Sequence, residues 1–437
     1  MKHIIILFLV ICLFATGCSV SQPPEVTLPE STGSIPTTEP TETEPVTDPS
    51  TEPTKPTEAP TEPPTEPPTE ATEEPTIALT LPETILLQMS TEEKVGQLFL
   101  ARCPDINAAE DAAAYHLGGY VLFGRDFDGK DRDTVIADIE SYQAAASIPM
   151  LIAVDEEGGI VCRVSDYFRE TRFSSPRKLY DQGGLDLILS TETEKIQLLQ
   201  SFGINVNLAP VCDVTTDPNA FMYSRSLGQS PDETGRVISA MVELANQSRL
   251  GAVLKHFPGY GNNTDTHVAI AVDNRSLEHL ESHDLVPFVS GIHAGAQAIM
   301  VSHTFINCLD TEYPASLSSK VIHYLRNNMG FTGVIVTDDL VMQAITDLYG
   351  AGESAVLAVL AGNDLLCSSE YQIQYQAVLD AVESGRISQE ILDEAVLRIL
   401  NWKYQLGLLD NWTYIAKIHY NSKVHLMQAI IVAKLSH

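Results

Sequence analysis

Eight short runs of apolar, β-favouring residues constrain the fold of this chain more than any other feature. They are Gln97–Ala101, Gly119–Phe123, Met150–Val154, Ile204–Leu208, Ala252–Lys255, Ala298–Ser302, Gly333–Thr337 and Asp364–Cys367. Most are nearly continuous in apolar character rather than alternating, the pattern of parallel strands covered on both faces. The chain between most of them has room for a helix. Eight such units between residues 77 and 410 predict an α/β chain folded as a (β/α)8 TIM-type barrel, with its functional site where the strands end. A doubly wound open sheet is the alternative if one of the eight runs is not a strand.

Polar residues gather just past those runs. Asp155–Glu156–Glu157–Gly158–Gly159 follows the third, with Arg163 close behind. Beyond the fourth come Asp213 and Arg225. The fifth leads into Lys255–His256–Phe257–Pro258–Gly259–Tyr260–Gly261 and on to Asp265–Thr266–His267. The sixth ends in Ser302–His303 and the seventh in Thr337–Asp338–Asp339. One such cluster is an ordinary solvated turn. Five ionisable strand ends on one chain point to an enzyme, because a barrel needs only turn residues there.

Two elements have a specific chemistry. Asp338 follows the buried run Gly333–Thr337, so a rigid strand fixes its carboxylate, as a nucleophile requires. In an extended loop residues two apart point the same way, so Asp265 and His267 can face one another. A carboxylate beside an imidazole orients it and favours its acid form. A nucleophile on a strand and an acid/base on a loop is the division of labour of retaining glycoside hydrolysis.

The strings KHFPGYGNNTDTH, VDEEGGIVCR and GVIVTDDLVM resemble three motifs of glycoside hydrolase family 3, in its β-N-acetylhexosaminidase branch, in the expected order. The resemblance implies a retaining, exo-acting enzyme that removes terminal N-acetylglucosamine, in cell-wall fragment turnover, with no cofactor. It makes Asp338 the nucleophile, His267 the acid/base and Asp265 its partner. It also implies that Asp155, Arg163, Arg225, Lys255 and His256 hold the sugar hydroxyls. Two departures are visible: Tyr260 stands where the family string commonly has His, and one residue is missing before the Asp–x–His triplet. A phosphorylase or β-glucosidase of the same family is the alternative. In another class, a non-catalytic sugar-binding lipoprotein would be expected to lack Asp338 or His267, and both are present.

The first 76 residues have a different character. Lys2, the apolar run Ile4–Ala15 and then Thr16–Gly17–Cys18 make a secretory signal. Cysteine at that place resembles a bacterial lipobox, which predicts lipidation at Cys18 and a membrane partner through the lipid, on the extracellular face; plain secretion is the alternative. Residues 19–76 hold 15 of the 25 prolines in a Thr–Glu–Pro repeat, so helix and central strand are blocked and an extended tether is expected. The net charge of -32 repels phosphate backbones and argues against a nucleic-acid partner. The later cysteines, Cys103, Cys162, Cys212, Cys308 and Cys367, are expected as buried small hydrophobes. No HExxH or CxxC spacing suggests a metal. Residues 411–437 form a tail to which no role is assigned.

Overall fold

The computed structural model describes residues 79–261 and 271–410. Residues 1–78, Cys18 among them, the triplet Asp265–Thr266–His267 and residues 411–437 lie outside the described residues.

Ten strands occur in chain order among the described residues. They are β1 (Phe99–Arg102), β2 (Gly119–Leu122), β3 (Leu151–Val154), β4 (Val206–Asn207), β5 (Gly251–Phe257), β6 (Val272–Asp273), β7 (Ala298–Val301), β8 (Phe305–Ile306), β9 (Val334–Thr337) and β10 (Leu366–Ser368). Eight of them form one parallel sheet in the order β10-β1-β2-β3-β4-β5-β7-β9. A parallel bridge between Val336 and Leu365 joins its two ends, so the expected barrel is what forms and the open sheet is excluded. Each of the eight runs overlaps one barrel strand. The ends moved: Gln97 closes the helix Thr91–Gln97 instead of opening β1, which continues to Arg102. The parallel pair β6 and β8 was not anticipated, since two residues each carry no readable period.

The sequence explains why the intervening chain is helical. Pro231–Gln247 begins with Ser230 accepting from Glu233 N at 3.2 Å, Pro231 in the first turn, and Asp232 and Glu233 at the positive end of the helix dipole. Its buried residues, Thr234, Val237, Ile238, Met241, Val242 and Ala245, recur at helical spacing. Each large one contributes about 1.5–3 kcal/mol on burial. A Cβ at Gly235 would lie 2.4 Å from Ser290 Oγ of the neighbouring helix Val286–His293, so Gly235→Val should break this contact. Of the five later cysteines, Cys103, Cys162, Cys212 and Cys367 are buried as expected, but Cys308 is exposed. It lies two residues past the short strand β8, in a turn with no core to receive it.

Candidate active site

The loop after β3 is fixed from inside. Glu156 is fully buried, and its carboxylate accepts from the backbone N–H of Arg163 at 2.9 Å and Val164 at 2.7 Å, and from the Ser165 hydroxyl. Asn207 on β4 pairs with the Glu156 backbone through both amide atoms, at 2.9 and 3.1 Å. Gly158 turns the chain at φ 99°, where a Cβ would lie 2.4 Å from Ser174 O, so glycine is required. This frame carries Asp155, Glu157 and Arg163.

A charged network crosses from that loop to β5. Lys255 Nζ lies 2.6 Å from Asp155 Oδ1 and 2.6 Å from Glu157 Oε1. Arg225, from the loop after β4, donates to Glu157 and also lies 3.1 Å from His256 Nε2. His256 Nδ1 lies 2.9 Å from Asp213 Oδ2. Since Arg225 can only donate, Nε2 accepts and the proton is on Nδ1, facing Asp213. Burial would raise the Glu157 carboxyl, but Lys255 and Arg225 outweigh it and hold the group well below the usual carboxylate range. Burial would likewise lower the Lys255 amine, and Asp155 and Glu157 raise it instead.

Asp338 stands where β9 ends. Its N–H donates to Val301 O at 3.0 Å, and its Oδ1 accepts from Asp339 N at 2.9 Å. The adjacent Asp339 turns away: its carboxylate accepts from Ser369 Oγ at 2.5 Å, Ser369 N at 3.1 Å and Val341 N at 3.2 Å. Burial raises the Asp339 carboxyl, the Ser369 hydrogen bond opposes this, and the neighbouring Asp338 charge adds to it. His303 Nε2 donates to Asp339 O at 3.0 Å, with Nδ1 2.6 Å from Ser316 Oγ, so this imidazole braces the backbone of the Asp338–Asp339 turn rather than offering a metal ligand.

Asp155, Arg163, Arg225, Lys255, His256 and Asp338 all line one cavity of about 720 Å³, with Phe123, Phe221, Tyr260 and Met342 as apolar wall. The size and mixed lining suit a small polar ligand with a hydrophobic face. Six of the eight expected catalytic and binding residues therefore meet, and Asp265 and His267 lie outside the described residues. Tyr260 sits edge-on to His256, ring centroids 5.2 Å apart, and its N–H donates to Asp213 at 2.7 Å, so the departure at this position is built into the wall.

Sequence reasoning saw Glu157, the hub of the network, without giving it a role, and missed Arg102. The Arg102 and Arg163 guanidinium carbons lie 4.7 and 5.5 Å from the Phe123 ring centre. Neither forms an ion pair among the described residues, and the Nε of each is buried without a hydrogen-bond partner. Unmet cationic donors beside an open cavity call for acceptors from a ligand. The signal for Arg102 was present: an arginine closing the apolar run Phe99–Ala101 at a barrel mouth.

Comparison with known proteins gives the family. Residues 90–402 match the model of the glycosyl hydrolase family 3 N terminal domain. A Beta-hexosaminidase of Tolumonas auensis is 34% identical over 65% of this chain and 86% of its own length. Beta-hexosaminidase LpqI of Mycobacterium tuberculosis is 29% identical over 74% of this chain and 85% of its own. The structure of a glycoside hydrolase family 3 beta-N-acetylglucosaminidase from Paenibacillus sp. superposes with a TM-score of 0.69 at 33% identity, over 73% of this chain and 63% of that one.

Proposed function

The chain belongs to glycosyl hydrolase family 3, and on that premise we propose that it is a retaining, exo-acting β-N-acetylhexosaminidase that releases terminal N-acetylglucosamine. The observation that carries this reading is Asp338 at the end of β9, on the wall of the cavity that the Asp155–Lys255–Glu157–Arg225–His256 network closes. Asp338 attacks the anomeric carbon while His267, oriented by Asp265, gives its proton to the leaving oxygen. The same His267 then takes a proton from water, which releases the sugar from Asp338. Asp155 accepts from the sugar hydroxyls, Arg163, Arg225 and Lys255 donate to them, and His256, its Nε2 already accepting from Arg225, stands beside them on the same wall. Because Lys255 and Arg225 are already held by Glu157, these donors are in place before the sugar arrives.

Cell-wall fragments are the natural substrate in this proposal, reached by an enzyme lipidated at Cys18 and held off the membrane by residues 19–76. A panel of nitrophenyl glycosides, assayed with and without phosphate, tests the activity. Preference for the N-acetylglucosaminide with free sugar released in phosphate buffer supports it; a sugar phosphate as product, or preference for the glucoside, contradicts it. For the anchor, Cys18→Ala should move the protein from membranes to the medium, or leave it unprocessed. Wild-type protein free in the medium without lipid would refute the anchor alone.

A further inference from the structure

Away from the sugar cavity, the chain after β6 turns through Leu277–His279 into the π-helical turn Leu280–Asp284. This brings His279, His283 and Asp284 together, with one ligand atom of each within 4.8 Å of the others. The imidazoles are stacked, ring centroids 5.2 Å apart at 20°. Asp284 Oδ2 lies 3.2 Å from His283 Nδ1 and 3.7 Å from His279 Nε2.

The charges around them do not balance. The Asp284 side chain is 1% exposed, and its other oxygen, Oδ1, is buried with no hydrogen-bond partner. Arg275 is the one fixed cation at the cluster among the described residues. It is shared between two buried carboxylates, donating to Asp273 from Nε at 2.9 Å and Nη2 at 2.5 Å and to Asp284 from Nη1 at 2.6 Å. Two buried carboxylates against one guanidinium leave one negative charge to be met by a further cation or by a proton on the cluster. The cluster borders an open cavity of about 710 Å³, lined by both histidines and by Asp217 and Asp273.

We propose that His279, His283 and Asp284 form a binding site for a zinc-class divalent cation, separate from the catalytic cavity. Two imidazoles and one carboxylate are a zinc-type ligand set, with water as the fourth ligand. Bonds of about 2.0–2.2 Å need the three ligand atoms to draw together. The two histidine side chains are 49% and 37% exposed, so they can turn inward while Asp284 stays in place. Arg275 keeps Asp273 as its partner when Asp284 Oδ2 is shared with the ion. The ion then supplies the missing charge, and Arg275 also donates to Gly259 O at 3.2 Å, which ties the site to the backbone just past β5.

The test uses the full chain purified without a histidine tag and stripped with a chelator. Zinc titration by calorimetry, with metal content measured after gel filtration, should show one more bound zinc for the wild type than for the His279→Gln/His283→Gln double variant. Each single variant should bind that zinc at least about tenfold more weakly. His293→Gln, an exposed histidine elsewhere, should match the wild type. Equal stoichiometry and affinity in the wild type and the double variant would overturn the site. Cobalt loading of the wild type alone gives a second reading independent of any variant's folding. Intense visible bands of a four-coordinate ion support the site, and only the weak bands of hydrated six-coordinate cobalt overturn it.

Discussion

Arg225 grips Glu157 through two parallel hydrogen bonds, Nε to Oε2 at 2.9 Å and Nη2 to Oε1 at 2.6 Å. The planar fork fixes both side chains at once. One oxygen of Glu157 also holds Lys255, so a residue with no assigned part in the chemistry sets the position of two proposed to bind substrate.

Glu157→Gln keeps the shape and removes the charge, leaving Lys255 with the half-buried Asp155 alone and Arg225 without its carboxylate partner. Unfolding free energy by denaturant melt should fall by about 3–5 kcal/mol, the cost of breaking a buried pair, and KM should rise. The pH dependence has a definite sign. Glu157 titrates lower when folded than its ordinary value of 4.5, so the unfolded chain binds the extra proton first. Its contribution is full above pH 4.5 and declines as the pH falls further. The variant should lack that share of the decline; equal acid sensitivity in both proteins would contradict the assignment.

Lys403 is fully buried in the helix Gln389–Gln405, where its amine donates to Gln97 Oε1 at 2.6 Å. Burial pushes its pKa down to about 7 from 10.5. Between those values the unfolded chain holds a proton that the folded chain has released, so stability rises with pH across this window. Lys403→Met should melt higher than the wild type at pH 6, and the gap should shrink by pH 9. A gap independent of pH would mean that the amine is not buried neutral.

Arg102→Met tests the unpaired guanidinium beside Phe123. A lost charged hydrogen bond is worth about 1.5–3 kcal/mol, so kcat/KM on the N-acetylglucosaminide should drop by roughly tenfold to a hundredfold, mostly through KM. The melting temperature should hold, because Arg102 Nε has no partner to lose. Reduced stability with unchanged KM would make Arg102 a brace for Phe123 instead.

Asp338 and Asp339 should separate cleanly. Asp338→Asn should lose at least about a thousandfold in kcat with its melting curve intact. Asp339→Asn should lower stability first, since its carboxylate holds the turn to Ser369. Near-normal turnover by Asp338→Asn would move the nucleophile elsewhere.

The barrel was legible because its strands are buried on both faces and read as unbroken apolar runs. Strand ends were less so: Gln97 looks like the start of a strand, but its amide is drawn to His116 O and Lys403, the latter 306 residues away in sequence. The six described site residues were legible because each closes or follows a strand. Glu157 was seen and passed over, since its importance lies in its partners Arg225, from the loop after β4, and Lys255, on β5, which only the fold brings to it. The cluster His279, His283 and Asp284 left no sequence mark, because its spacing works only through a π-turn that no residue pattern announces.

A sugar bound covalently to Asp338 and released by His267 is most directly tested by trapping it. During turnover of nitrophenyl N-acetylglucosaminide, which needs no proton on its leaving group, His267→Ala should form the intermediate and release it slowly. Mass spectrometry of the quenched chain should then find one added N-acetylglucosaminyl group, and peptide mapping should place its ester on Asp338. The same variant should lose far more activity on an N-acetylglucosaminyl disaccharide than on the nitrophenyl substrate. An ester on Asp339 or Asp155, or no adduct with equal losses on both substrates, would contradict the account.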